Sequence, residues 1–154
     1  MLTWGSGPGN RDLVLDGTTV GRLDREAFRE RATVQLGPET WQFARGRGGV
    51  VTGTGPWGAP VPHQLWARPF SAWRYGWEVV TPVARYELRG GGAFGGGYPL
   101  LRDGVQIGEA RTVRFFSSRF AVLLPPDVPL PDQAFLLWVA QVAAGRTAAF
   151  AAFT

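Results

Sequence analysis

With 154 residues, the chain is long enough for one domain that buries roughly 70% of its unfolded surface without metals or crosslinks. It has no cysteine, which excludes a disulfide framework, a thiol nucleophile, a zinc-thiolate site and an iron–sulfur cluster. The basic residues are sixteen arginines and no lysine, a bias that we ascribe to GC-rich coding, and the net charge of +4 is spread without a basic run.

The first residues of the chain, Met1–Gly5, carry neither a charged segment nor an apolar one of the kind found in secretion signals. We therefore expect a cytoplasmic protein.

Glycines and prolines, 22 and 12 in number, divide the chain into short segments in which apolar and polar residues alternate. This alternation predicts β-strands, and short strands at regular spacing predict a sandwich or barrel. The predicted strands are Leu13–Leu15, Thr40–Ala44, Arg85–Arg89, Val105–Gly108, Thr112–Phe116 and Arg119–Leu124.

A weak internal repeat aligns Leu13–Gly21 with Leu100–Gly108 at one constant offset. Each copy holds an Asp-Gly pair between two apolar runs, which predicts a tight hairpin turn, and a later glycine that allows a bulge or a close crossing. We expect a single domain over residues 1–154 with two similar halves, 11–89 and 98–154, joined by a glycine-rich connection at 90–97. The alternative is a chance match in a glycine-rich chain.

The C-terminal segment breaks this strand pattern. Pro129-Leu130-Pro131-Asp132 predicts a helix start with Asp132 or its neighbour at the N-cap, and the apolar residues that follow predict a helix up to Gly145. Apolar side chains cover every side of the helix between Ala134 and Ala140, so it must be buried on all faces. The apolar stretch is much shorter than the roughly 20 residues that a bilayer-spanning helix needs, which favours an interior helix.

The two hairpins Asp16-Gly17-x-x-Val20-Gly21 and Asp103-Gly104-x-x-Ile107-Gly108, followed by the apolar helix, resemble the tubby C-terminal-like barrels, which include the tubby, phospholipid scramblase and LURP-one-related families. The resemblance covers the chain from about Leu13 to its end. It implies a closed antiparallel barrel threaded by its own C-terminal hydrophobic helix. We therefore expect a mainly β fold, a closed or strongly curved antiparallel barrel of about ten to twelve strands around a buried C-terminal hydrophobic helix.

Activity does not transfer with this resemblance. Tubby domains bind phosphoinositide head groups through basic residues, but no basic cluster here matches a family motif. Scramblases carry palmitoylated cysteines, and this chain has none. The resemblance therefore implies a fold rather than a function.

Two stretches, Gly53–Gly58 and Gly90–Gly95, match the dinucleotide fingerprint G-x-G-x-x-G by letter. Neither stretch leads from a strand into a helix, which phosphate binding requires, so both are interpreted as flexible loops. His63 is the only histidine, and no serine or carboxylate lies near it in sequence. These features predict no catalytic residue, no metal site and no cofactor.

The segment Trp57–Trp77 holds four of the seven tryptophans, interleaved with arginines. It has three interpretations: a stacking groove for single-stranded nucleic acid, against which the low net charge argues; a contact with lipid head groups; or aromatic side chains packed on the barrel as a lid. We favour the lid. If the segment binds a ligand, the expected contact residues are Trp66, Arg68, Trp73 and Arg74.

We therefore expect a non-enzymatic binding or scaffold domain that contacts an anionic membrane surface or a partner protein. Two alternatives remain open. One is an enzyme whose pocket is assembled from distant strands, with His63 as acid or base and a carboxylate within hydrogen-bond reach of it. The other is a weak nucleic-acid binder with its arginines on one face.

Overall fold

The structure, a computed structural model, describes residues 1–4, 12–25, 31–70, 76–90, 97–112 and 120–152. These residues form twelve strands, one 3₁₀ turn and one helix. The strands are β1 Leu2–Trp4, β2 Asp12–Leu15, β3 Thr18–Arg25, β4 Arg31–Leu36, β5 Glu39–Arg45, β6 Val51–Gly55, β7 His63–Pro69, β8 Gly76–Val80, β9 Arg85–Arg89, β10 Tyr98–Arg102, β11 Val105–Thr112 and β12 Phe120–Leu123; the 3₁₀ turn is Arg47–Gly49 and the helix is α1 Leu130–Ala152.

The strands form a closed antiparallel barrel in which every strand pairs with its neighbours in sequence. β1 closes it by pairing with both β2 and β12, with Leu2 opposite Leu15 on one side and Val122 on the other. Closure leaves no unpaired edge. The expected fold class, an antiparallel barrel around a buried C-terminal helix, is confirmed.

The alternation of side chains decides which face of each strand meets the helix. In β4, Ala32, Val34 and Leu36 are buried and the residues between them are exposed, which is the period of two that a half-buried strand requires. Inside the barrel, the Phe43 ring packs edge-on against Phe135 at a centroid distance of 5.2 Å and against Trp138 at 6.3 Å. Residues 134 to 140 of the helix are all buried, as its wholly apolar surface predicts.

The helix bounds differ from the predicted ones at both ends. The helix begins at Leu130, and the Gln133 amide donates a helical hydrogen bond to the Pro129 carbonyl. Asp132 therefore lies inside the first turn instead of at the N-cap. Pro131 is tolerated there because first-turn amides have no partner within the helix. Gly145 does not end the helix, which continues to Ala152. No helix in the described part of the chain has both the length and the apolar character that crossing a bilayer requires.

The predicted strands are largely confirmed. β9 has the predicted bounds, and the segments predicted near Leu13, Thr40 and Phe120 lie on β2, β5 and β12. Thr112 is the last residue of β11 instead of the first residue of a separate strand, and the rest of that predicted strand lies outside the described residues.

Gly53–Gly58 is not the flexible loop expected from its glycines. Gly53 and Gly55 belong to β6 and face the aromatic side chains of β5. A Cβ atom on Gly55 would lie 2.6 Å from the Trp41 ring, so these glycines make room for core aromatics. The second stretch, Gly90–Gly95, lies almost entirely outside the described residues, as does most of the 90–97 connection.

The repeated hairpins share their backbone geometry. Asp16 and Asp103 both have φ near +50°, each is followed by a glycine at φ near +84°, and both hairpins carry a register shift at the matching position. Two successive residues with positive φ make the tight turn that the Asp-Gly signal predicts. The later glycine of each copy permits a close crossing, since a side chain on Gly108 would overlap the carbonyl oxygen of Leu123.

A buried polar cluster fixes the start of the helix to the barrel wall. The Asp132 carboxylate, whose residue is 2% exposed, accepts hydrogen bonds at Oδ2 from Tyr86 Oη at 2.8 Å and from Thr81 Oγ1 at 2.9 Å. Burial raises the pKa of Asp132, although both hydrogen bonds oppose the shift. Burial, followed by the Asp132 bond, also raises the pKa of Tyr86.

The close crossing predicts different costs for two alanine substitutions in one hairpin. Gly108→Ala forces the backbones of β11 and β12 apart, and we expect it to lower the free energy of unfolding by about 3 kcal/mol or more. Gly104→Ala meets no neighbouring atom and bears only the cost of its positive φ, about 1–2 kcal/mol. Denaturant titration of both variants measures the difference, and equal losses would contradict the close crossing.

The buried carboxylate predicts a pH-dependent difference between the wild type and Asp132→Asn. A pKa above the ordinary 3.8 means that the protonated form favours folding, and this contribution is lost as pH rises through the raised pKa. The amide oxygen of asparagine still accepts both hydroxyl groups. We therefore expect the stability of Asp132→Asn relative to the wild type to increase as pH rises from about 4, as measured by denaturant unfolding across pH. A difference that stays constant with pH would contradict this account.

Candidate binding surface on strands β7 to β9

Trp66 and Arg68 lie on the outer face of the barrel. Leu65 and Ala67, their neighbours on β7, are buried in the interior, so alternation directs Trp66 and Arg68 outward. The Arg68 guanidinium lies 5.4 Å from the centroid of the half-buried Trp66 ring, within the range of a cation–π contact. Two of the four predicted contact residues are therefore adjacent on one surface.

The strand register adds two residues to this pair. Arg68 lies opposite Glu78 on β8, and Trp66 lies opposite Val80, which in turn pairs with Arg85 on β9. Arg68 Nε lies 3.0 Å from Glu78 Oε2, and Arg85 Nη1 lies 3.3 Å from Oε1 of the same carboxylate. We call Trp66, Arg68, Glu78 and Arg85 the Trp66 cluster.

The Trp66 cluster holds more positive than negative charge. Two guanidinium groups, both more than half exposed, share one carboxylate whose side chain is only 14% exposed. The cluster therefore carries one net positive charge on its solvent side. Each guanidinium has five N–H donors, so donors remain for an anionic ligand beyond those that Glu78 accepts.

A shallow cavity of about 250 Å³ shares Glu78 and Arg85 with the cluster, and with Glu87, Arg89 and Asp103 its lining holds three carboxylates and two guanidinium groups, one net negative charge. Arg89 pairs with Glu87 at 3.2 Å there, and Asp103 contributes a further carboxylate from the β10–β11 turn. The residues that line it are Phe70, Glu78, Arg85, Tyr86, Glu87, Arg89, Asp103 and Gly104. Binding of an anion is therefore favoured on the β7 side of this wall and not in the cavity.

The other predicted contact residues divide differently. Trp73 and Arg74 lie outside the described residues. Trp57 is exposed in the β6–β7 loop, whereas Trp77 is buried inside the barrel. The segment 57–77 includes β7 and the start of β8, so it is not the single long connection that the lid interpretation assumed.

Glu78 and Arg85 were missed from the sequence because they are distant from Trp66 along the chain. The only available signal was the alternation in β7, β8 and β9, which places all four residues on outward positions once the register is known.

The alternatives gain no support from the described residues. His63 is exposed at the start of β7, and no described carboxylate is placed within ion-pair distance of it. Within the described ranges no group of three histidine or acidic residues is arranged to hold a metal ion. The described arginines spread around the barrel, from Arg22 on β3 to Arg111 on β11, instead of gathering on one face as a nucleic-acid binder requires.

Comparison with known proteins finds no family model, no curated protein and no solved structure that matches this chain.

The exposure of the Trp66 cluster predicts that Arg68→Gln is nearly neutral for folding. Arg68 is 61% exposed, and the largely buried Glu78 carboxylate keeps its pair with Arg85 when Arg68 is removed, so we expect a loss like that of an exposed ion pair, less than about 1 kcal/mol of the free energy of unfolding. Arg22→Gln, which breaks the exposed Arg22–Asp24 pair on β3, is the matched control. If denaturant unfolding shows a loss well beyond that of the control, the Arg68–Glu78 pair is structural instead of available to a ligand.

Proposed function

We propose that this chain is a non-enzymatic binding domain that docks on an anionic lipid surface through the Trp66 cluster. The observation that carries the proposal is the sharing of Glu78 by Arg68 and Arg85 beside a half-buried tryptophan. Arginine binds phosphate through several N–H donors at once. Tryptophan favours the boundary between lipid head groups and acyl chains because its ring is amphipathic.

The proposed location is the cytoplasm, where the surfaces facing the protein are anionic leaflets. Near such a leaflet each uncompensated arginine contributes about 1 kcal/mol, and the attraction falls off within a Debye length. A cluster with one net positive charge therefore supports reversible, salt-sensitive contact and not permanent anchoring.

We also propose that the chain belongs to the tubby-like barrels. The closed strand order and the buried C-terminal helix support the assignment, because they are what the resemblance implies for the fold. The assignment does not supply the lipid contact, which rests on the Trp66 cluster alone.

Co-sedimentation with vesicles tests the lipid contact. We expect binding to phosphatidylserine–phosphatidylcholine vesicles at low salt, weaker binding at moderate salt, and little binding to pure phosphatidylcholine. Arg68→Gln should weaken binding about fivefold because it removes the net charge of the cluster. Glu78→Gln should strengthen binding by a similar factor because it leaves two uncompensated arginines.

Arg22→Gln removes an exposed arginine from β3, away from the cluster, and serves as the control for overall charge. Equal weakening by Arg22→Gln and Arg68→Gln would show that the contact depends on net charge and not on the Trp66 cluster. Absence of vesicle binding under every condition would rule out the lipid function.

A further inference from the structure

The exposed apolar side chains of the described residues share one end of the barrel. In an up-and-down barrel successive connections alternate between the two ends. The helix begins at the end that holds the β6–β7, β8–β9 and β10–β11 connections, as the bond from Thr81 to Asp132 shows. Among the residues that the structure describes, the large hydrophobic side chains that are exposed all lie at this end: Met1, Trp57, Val61, Val83 and Val105.

Two neighbouring connections at this end contain no charged residue. The β6–β7 loop is Pro56-Trp57-Gly58-Ala59-Pro60-Val61-Pro62, and the β8–β9 turn is Thr81-Pro82-Val83-Ala84. Trp57 is 68% exposed, Val61 79% and Val83 65%. We call residues 56–62 and 81–84 the apolar rim.

The apolar rim is held in place by the barrel. The Trp57 amide donates to the Thr40 carbonyl at 2.8 Å. The Thr81 hydroxyl accepts from the amides of Val83 and Ala84 and donates to the buried Asp132 carboxylate. Prolines before and after the tips restrict the backbone further. The apolar tips are therefore presented in a fixed arrangement, at little entropic cost on binding.

From the apolar rim to the Trp66 cluster, the side chains change from apolar to aromatic and positively charged. A lipid leaflet changes in the matching order, from its acyl chains to its phosphate groups. Arg85 follows the β8–β9 turn directly, and Trp66 lies on β7, the strand that begins where the β6–β7 loop ends. Uncharged tips thus come first, the half-buried Trp66 and the Arg85 guanidinium follow at one level of the strand register, and Arg68 lies two residues farther from the rim. In a leaflet, acyl chains are covered by the interface and then by anionic phosphates.

The described carboxylates at this end of the barrel lie outside the apolar rim, and the one beside it is Glu39, the first residue of β5, next to Thr40, whose carbonyl accepts from the Trp57 amide. Asp16 pairs with the Met1 amine, and Asp127 pairs with Arg102 at 3.0 Å. Asp103 precedes Val105 in the β10–β11 turn, so Val105 is next to a charge, unlike Trp57, Val61 and Val83. Contact is consequently favoured on the arc over β6 to β9 and not on the whole end of the barrel.

We infer that the apolar rim inserts into the acyl region of the leaflet that the Trp66 cluster contacts, with Trp57, Val61 and Val83 as the inserted side chains. This inference rests on the proposed lipid function and specifies how the barrel is oriented on the surface. A protein partner would need a surface complementary in shape to these separate protruding side chains. Acyl chains are fluid and pack around side chains of any shape, so a lipid leaflet is the favoured partner.

Vesicle binding by rim variants tests the insertion. On phosphatidylserine–phosphatidylcholine vesicles we expect Trp57→Ser and Val83→Ser each to bind about tenfold more weakly at every salt concentration. Each substitution removes an apolar side chain that is exposed in the free protein and buried in the acyl region on binding. Trp57→Phe, which keeps an apolar ring, should bind within about twofold of the wild type. Thermal unfolding of the variants checks that these exposed positions leave the fold intact.

Lipids brominated on their acyl chains provide an independent measurement. Bromine quenches tryptophan emission only at short range, so the wild type should be quenched and Trp57→Phe quenched less, although both bind. If Trp57→Ser and Val83→Ser bind like the wild type and acyl bromine quenches equally with and without Trp57, the insertion is wrong, while the lipid function of the Trp66 cluster stands. If the wild type binds no vesicle, both proposals fail.

Discussion

A helix with apolar side chains on every face cannot lie on the surface of a protein in water, and this constraint organises the fold. Seven consecutive helical residues from Ala134 to Ala140 are buried, so the rest of the chain must surround them. A single flat sheet covers only one side of a helix. A closed sheet of twelve strands surrounds it completely, and closure also pairs both edges that an open sheet would leave exposed.

Because the barrel encloses the helix, only the inward side chains of the strands are needed for packing, and the outward side chains can serve a function. Inward positions of the strands are occupied by side chains that pack on the helix, such as Phe43 and Leu65, and their composition is restricted. Outward positions of the same strands lie on the other side of the sheet from the helix, so their composition is less restricted. Arg68 and Glu78 stand at such positions, where they are free to form a charged surface without disturbing the interior. Packing and binding thus use alternate residues of one segment.

Local signals in the sequence predicted most of the fold. The Asp-Gly pairs specify two turns because positive φ at two successive residues is rarely accepted by other pairs, and strand alternation is visible in segments such as Arg85–Arg89. The ends of the helix were predicted wrongly for physical reasons. The Asp132 side chain has the chemistry of an N-cap, but in the fold it accepts hydrogen bonds from Tyr86 and Thr81. A single glycine such as Gly145 weakens a helix without ending it.

The candidate surface was only half predicted. Trp66 and Arg68 are close in sequence, and their spacing of two places them on the same face of a strand. Glu78 and Arg85 join them only through the register of three strands, which no local pattern specifies. The apolar rim was missed for a related reason. The exposure of Trp57, Val61 and Val83 depends on which connections share an end of the barrel, and that depends on the whole topology.

The position of the helix after all twelve strands has a consequence for how the protein is made. On the ribosome, the strands emerge before the segment that forms the centre of their core. β1 must also wait for β12, the farthest from it of the twelve described strands, before the sheet can close. Until then the inward faces of the strands have nothing apolar to pack against except one another. Contacts between such distant parts of the chain form slowly, and exposed strands aggregate meanwhile. Nascent chains of this architecture are therefore exposed to aggregation until the helix has emerged, a period in which chaperones would protect them.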